Sequence, residues 1–276
     1  MTTDQSQALI QSNRKPLYKK VIAKSDHQDA ILDDNQVISE NTNKDDCTDN
    51  RITIAADTHT QELAKVLVKE FQELTNTRPH LILANLHRCK LDPNRPIHVA
   101  ALGDKMAEHV YKQYHNFIID AKNKIEGPGL LIDLHGQNHH QNSIEIGYLF
   151  TKTMLNEKDY GSISPSVKSL VTRKNLLISD FLYGEFSLGA MFESAGYRAC
   201  PSPRQVCPGG DRYYKGGYIT ATHGSSHQGE IDAIQLEIPS EIRHGNGPDY
   251  RVNFAKDCAK ILVNFLQKYY PSEDIN

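Results

Sequence analysis

Leu130-Leu131-Ile132-Asp133-Leu134, followed by His135-Gly136, is the stretch on which the fold reading turns. An apolar run with little polar alternation is the mark of a strand buried on both faces, as in parallel sheets covered by helices on each side. Gly127-Pro128-Gly129 separates it from a helix expected over 103–125, whose apolar stripe is Met106, Val110, Phe117 and Ile118. Upstream, Arg51 to Ala55 alternates like a short strand. Thr60 is placed to cap a helix carrying Leu63, Val66, Leu67 and Phe71, and His80 to Leu86 reads as a buried strand. Downstream, Ile144 to Phe150 and Ile231 to Ile238 read as strands. Helices are expected from Ser164-Pro165, over Leu188 to Ala195 with Gly196 as the stop, and over Asp249 to Tyr269 with Val252, Phe254, Ala255, Ile261, Leu262 and Leu266 inward. Strands and helices alternate, which predicts an α/β fold with a mixed, mostly parallel sheet between helix layers.

Residues 1–50 differ from the rest. They are rich in Asp, Asn, Lys, Gln, Ser and Thr and nearly lack aromatics, so they are expected to be poorly ordered, with residues 51–276 forming a single domain. The chain carries 31 basic and 34 acidic residues among 276, a balance that offers no broad attraction to nucleic acid or anionic lipid. Mean hydropathy is −0.55. No apolar run approaches the ~20 residues that a membrane span requires. Met1 to Asn13 is polar with no apolar signal core, which predicts a cytoplasmic chain as given, or a secreted one if the N-terminus is truncated. None of the five cysteines forms a Cys-x-x-Cys pair. Cys200 and Cys207 flank a loop that a disulfide could close in an oxidising compartment; a pair of ordinary thiols is the other reading.

In open α/β sheets chemistry gathers where strands end, and polar residues concentrate at three such places. His135 ends the decisive strand, and the glycine after it leaves room for a close ligand; it is a metal ligand or a solvated loop histidine. Asp133, in the same strand, could lie behind it, and His139 and His140 read as loop residues. Glu237 interrupts an apolar strand between Leu236 and Ile238, where a carboxylate must be paired or bound to something. It is a general base or half of an ion pair with Arg243. Arg88 and the Asn94-Arg95 pair leave one strand end, and guanidinium groups there suit an anionic substrate; ordinary turn arginines are the alternative. Tyr218, beside Gly216-Gly217, closes over substrate or covers the core.

Taken together, these segments resemble the N-formylglutamate amidohydrolase family, whose fold is similar to that of zinc carboxypeptidases. The resemblance spans residues 51–270. It rests on Asp57 with Glu62-Leu63-Ala64, His87-Arg88 with Asp92-x-Asn94-Arg95, and Asp133-Leu134-His135. It continues through Ser187-Leu188-Gly189-Ala190, Pro201-Ser202-Pro203, Gly216-Gly217-Tyr218 and Gln235-Leu236-Glu237-Ile238-Pro239. It implies a zinc-dependent amidohydrolase acting on an N-acyl amino acid or a small carboxylate-bearing amide. His135 and Asp57 would hold the zinc and Glu237 would be the general base. Arg88, Asn94, Arg95, Tyr218 and Arg243 would contact the substrate. The chain departs from the family at the first zinc histidine, which there lies in a Pro-His-Gly-type stretch. Here the candidates are His27, in Ser25-Asp26-His27-Gln28, and His59. A metal-poor relative that binds small carboxylates without cleaving them is therefore the competing reading.

Overall fold

The computed structural model describes residues 21–22, 56–245 and 247–271. Among them, β1 (Val21–Ile22), β2 (Gly129–Gln137), β3 (Ile144–Gly147), β4 (Ala199–Cys200) and β5 (Ile231–Pro239) form one sheet in the order β1-β2-β5-β3-β4. Every neighbouring pair is parallel except β3 and β5. The sheet is thus mixed and mostly parallel. The helices are α1 (Thr60–Thr75), α2 (Ile97–Ala100), α3 (Lys105–Asn123), α4 (Lys152–Glu157) and α5 (Lys168–Arg173). They are followed by α6 (Ile178–Tyr183), α7 (Leu188–Ser194), α8 (Tyr218–His223), α9 (Ser240–His244) and α10 (Pro248–Tyr269).

Strand periodicity explains how the two faces differ. Successive residues point to opposite sides, so Leu130, Ile132 and Leu134 of β2 and Ile234, Leu236 and Ile238 of β5 share one face. They pack there with α1, α7 and α10 in the main apolar core. On the other face Leu131, Ile231 and Ala233 meet Tyr114, Ile118 and Ala121 of α3 and Ile219 of α8. That second layer is apolar only at the amino-terminal half of the strands. Further along come Asp133 and His135 on β2 and Gln235 and Glu237 on β5. The register pairs Asp133 with Gln235 and His135 with Glu237.

Several boundaries differ from the sequence reading, each for a physical reason. β2 runs on to Gln137, because parallel pairing with β5 continues through His135. His135 is therefore a strand residue and not part of a solvated loop. Thr60 opens α1 without capping it: His59 is the N-cap in a left-handed conformation, and the Thr60 hydroxyl bonds back to the Asp57 carbonyl at 2.7 Å. His80 to Leu86 is not a strand, although it is apolar; it runs as irregular backbone beside α1 and lines a cavity. Asp104 caps α3 through the Ala107 amide, and Met106 is exposed there while Tyr111 and Tyr114 take inward positions. The helix expected from Ser164-Pro165 begins only at Lys168. Strand β1 was not anticipated within residues 1–50; the rest of that segment, and the strand expected over 51–55, lie outside the described residues. Cys200 and Cys207 are free thiols. Cys89 is disulfide-bonded. No helix among the described residues is long and apolar enough to cross a membrane.

At the amino-terminal end of β5, Asp232 is fully enclosed. Its Oδ1 accepts from the Ser225 hydroxyl and the Leu170 amide, and Oδ2 accepts from the Tyr270 hydroxyl at 2.9 Å. Burial outweighs those hydrogen bonds and the nearby Arg173, and pushes the carboxyl up to about 6. The unfolded chain would titrate at an ordinary aspartate value, so it loses its proton first as pH rises. Asp232 therefore contributes its full stability below the ordinary aspartate pKa and loses it as pH rises through about 6. Thermal melts of Asp232→Asn against wild type, taken in ~1-unit steps, are expected to shift in favour of the variant as pH rises from the ordinary aspartate value to about 6, and to level off above it. A difference that does not change with pH would show that Asp232 ionises normally.

Candidate functional site

The polar half of the second face is closed over by the loop carrying Arg88 to Arg95 and by the segment leading into α8. At its centre His135 lies between carboxylates. Nδ1 is 2.8 Å from Asp57 Oδ2, and Nε2 is 3.0 Å from Asp133 Oδ1. Asp133 and His135 are two apart in a strand and so point the same way, which lets the first hold the ring of the second. Asp133 is itself fixed by the Thr220 hydroxyl, which donates to Oδ2 at 3.1 Å. The side-chain amide of Asn94 packs against His135 Nε2 at 3.1 Å, while its Oδ1 accepts from the Ile219 amide at 2.9 Å.

The electrostatics follow from this geometry. Burial disfavours the imidazolium of His135, but the charges and hydrogen bonds of Asp133 and Asp57 outweigh it and hold the ring well above its ordinary value. Burial likewise pushes Asp57 upward, yet His135, then Arg88 and Arg243, overcome it and hold the carboxyl below the usual range.

Glu237 sits beside His135 on the neighbouring strand and is 6% exposed. Burial pushes its carboxyl up to about 7, against the pull of His135, with Asp57, Glu145 and Asp133 adding repulsion. One oxygen accepts from Gln235 Nε2 at 2.9 Å. The orientation of that amide is set by its other end, since Gln235 Oε1 accepts from the Gly217 backbone N–H at 2.7 Å. Gln235 thus ties Glu237 to the turn that opens α8, a link that sequence reasoning missed. Its signal was a glutamine two residues before Glu237, between the apolar Ile234 and Leu236. Glu145 of β3 lies opposite Glu237 in the antiparallel register. It accepts from His139 at 2.6 Å, from Gln141 at 3.2 Å and from the Tyr214 amide at 2.7 Å. His139 is therefore a buried partner of Glu145, stacked on Tyr214, whereas His140 is exposed.

The remaining residues singled out in the sequence take different places. Arg88 grips Asp92 Oδ2 through Nε and Nη2 at 3.2 and 3.0 Å and reaches Asp57 at 3.8 Å. Arg95 is more open, with its side chain 42% exposed and Nη1 donating to the Asn94 carbonyl. Tyr218 does not reach into the site: it hydrogen-bonds Tyr111 and stands edge-on to His115, covering the core. Arg243 is not an ion-pair partner of Glu237. Nε donates to the Ile238 carbonyl, Nη1 to the Thr58 carbonyl and hydroxyl, and Nη2 to the Gln137 carbonyl and Asn138 Oδ1. It pins the ends of β2 and β5 to the Asp57 loop. It also occupies the room beside Gly136 expected for a ligand, because a Cβ there would collide with the guanidinium.

The donor types at Asp57 and His135 suit a divalent zinc. A metal-binding histidine is commonly oriented by a carboxylate on its far ring nitrogen, and Asp133 stands in that position on Nε2, leaving Nδ1 toward Asp57. A third ligand is not found: among the described residues no group of three or more His, Cys, Asp and Glu side chains gathers as a metal site. His59 bonds Glu62 at 2.6 Å and packs edge-on to His244, and so does not join. His27 lies outside the described residues.

Behind the Arg88–Arg95 loop, His115 Nδ1 and His223 Nε2 are 2.8 Å apart, and His115 Nε2 donates to the Pro93 carbonyl. Burial lowers both rings; for His223 the charges of His115 and Lys122 add to it and bring the value down to about 3. A pKa lowered on folding gives stability that is full above the unfolded histidine value and lost as pH falls toward the folded one. Chemical denaturation is expected to show wild-type stability falling more steeply than that of His223→Gln as pH falls from about 6.5 to about 4. Equal slopes would mean that the pair is already charged. Gly136→Ala is expected to cost about 1–3 kcal/mol through displacement of Arg243, and a melt unchanged from wild type would show that the guanidinium can step aside freely. No family model, curated protein or solved structure matches this chain.

Proposed function

We propose that this chain is a metal-dependent amidohydrolase that cleaves the linear amide of an N-acyl amino acid or a similar small carboxylate, on a carboxypeptidase-like arrangement of strands. The observation that carries the reading is the Asp133–His135–Asp57 series at the carboxyl ends of the parallel strands, with Glu237 in register beside it. Zinc at Asp57 and His135 would supply an acidified water and a polarised carbonyl. The protein's own residues do the rest. Asp133 holds the His135 ring. Glu237, fixed through one oxygen by Gln235, has the other to take a proton from water and return it to the departing amine. Asn94, anchored by the Ile219 amide, lies against the His135 ring. Arg95 is the exposed guanidinium of the loop and receives the substrate carboxylate, while Arg88 keeps Asp57 and Asp92 in place.

A second reading, a binding protein for small carboxylates without turnover, is favoured by one observation: among the described residues no group of three or more His, Cys, Asp and Glu side chains gathers as a metal site. Metal analysis of purified protein, with formate release from N-formylglutamate, separates the two. The first reading expects zinc in wild type, loss of it in His135→Ala and Asp57→Ala, and a fall in kcat of about 10²–10⁴-fold in Glu237→Gln with little change in KM. Arg95→Ala is expected to raise KM for the acid substrate and to leave a carboxamide analogue nearly unaffected. Protein that holds no zinc and binds N-acyl amino acids without cleaving them establishes the second reading; protein that does neither removes both.

A further inference from the structure

The cavity at the site, about 690 Å³ in volume, is lined at one end by Asp57, Arg88, Asn94 and His135. It continues between α1, the 79–86 segment, α3 and β2, where its walls are Val68, Phe71, Leu81, Ile82, Ile118 and Leu131. Its size is that of pockets that bury drug-sized ligands, about 300–1,000 Å³, far more than a formyl group fills. The walls bear this out. Val68, Phe71, Leu81, Ile82, Ile118 and Leu131 carry no polar side-chain group. An apolar void favours an apolar occupant over water. The apolar run Leu81 to Leu86, which has no strand partner among the described residues, serves as one wall.

We infer that the site takes an amphipathic substrate: an N-acyl amino acid whose acyl part is a hydrocarbon chain of several carbons, lying along Val68, Phe71 and Ile82. The hydrocarbon end stands on the cavity alone. The carboxylate end, and the amide between them, rest on the amidohydrolase reading.

Calorimetry on the full chain, carrying Glu237→Gln to prevent turnover, tests this with N-acetyl-, N-butanoyl- and N-hexanoylglutamate and with the bis-amide of N-hexanoylglutamate. Each added methylene buried is expected to tighten binding by up to about fourfold, and the hexanoyl compound to bind at least about tenfold tighter than the acetyl one. Val68→Phe and, separately, Ile82→Phe narrow the apolar end. Each is expected to erase the chain-length gain and leave N-acetylglutamate binding unchanged. Affinity independent of chain length in the parent protein overturns the inference and leaves the carboxylate-binding reading intact. Equal binding of the hexanoyl acid and its bis-amide, with the chain-length gain present, keeps the apolar channel and removes the carboxylate role of Arg95. Absence of binding by all four compounds overturns both.

Discussion

The parallel register of β2 and β5 is the constraint on which the rest depends. Because Asp133 pairs with Gln235 and His135 with Glu237, the polar groups that these strands give to the site point to one face and lie near one end of the sheet. A slip of one residue would turn all of them into the apolar core and bring Leu134, Leu236 and Ile238 to the other side. The apolar face is thus more than a source of stability. By burying Ile234, Leu236 and Ile238 completely, it fixes the side to which the intervening residues must point, and so the position of the histidine and the carboxylates.

Elements with strong apolar patterns were the ones that the sequence made legible. β5, α7 and α10 lie within a residue or two of where their patterns put them. His80 to Leu86 was misread because an apolar run of that length is the same for a strand and for the wall of a cavity; only a neighbouring strand would tell them apart. The site was legible in residue type and less so in role. Asn94, His135 and Glu237, singled out at strand ends, lie on one face, and Asp57, which came only from the resemblance, meets His135 there. Arg243 and Tyr218 were read by chemistry alone, and their roles are set by distant partners: backbone carbonyls from other elements for Arg243, and Tyr111 and His115 for Tyr218. No pattern along the chain carries such information.

Charges in the site are arranged so that few lack an answer. Carboxylates from Asp57, Asp92 and Asp133 face Arg88 and His135, and Glu145 meets a histidine, an amide side chain and a backbone N–H. Glu237 is the exception, since a neutral amide from Gln235 is its hydrogen-bond partner. Isolated burial of this kind is what separates one carboxyl from its neighbours in proton affinity, and it sets Glu237 apart within a group of otherwise similar side chains.

Gly136 and Arg243 are 107 positions apart in sequence, yet the guanidinium of one fills the volume that a side chain on the other would need. Neither position can drift alone. A larger residue at 136 requires a shorter one at 243, and a shorter one at 243 leaves the carbonyls of Thr58, Gln137 and Ile238 without their donor. The pair behaves in inheritance as a single locus: the route to any other combination passes through a form that has lost either room or hydrogen bonds. Descent should therefore keep glycine and arginine together or replace them together.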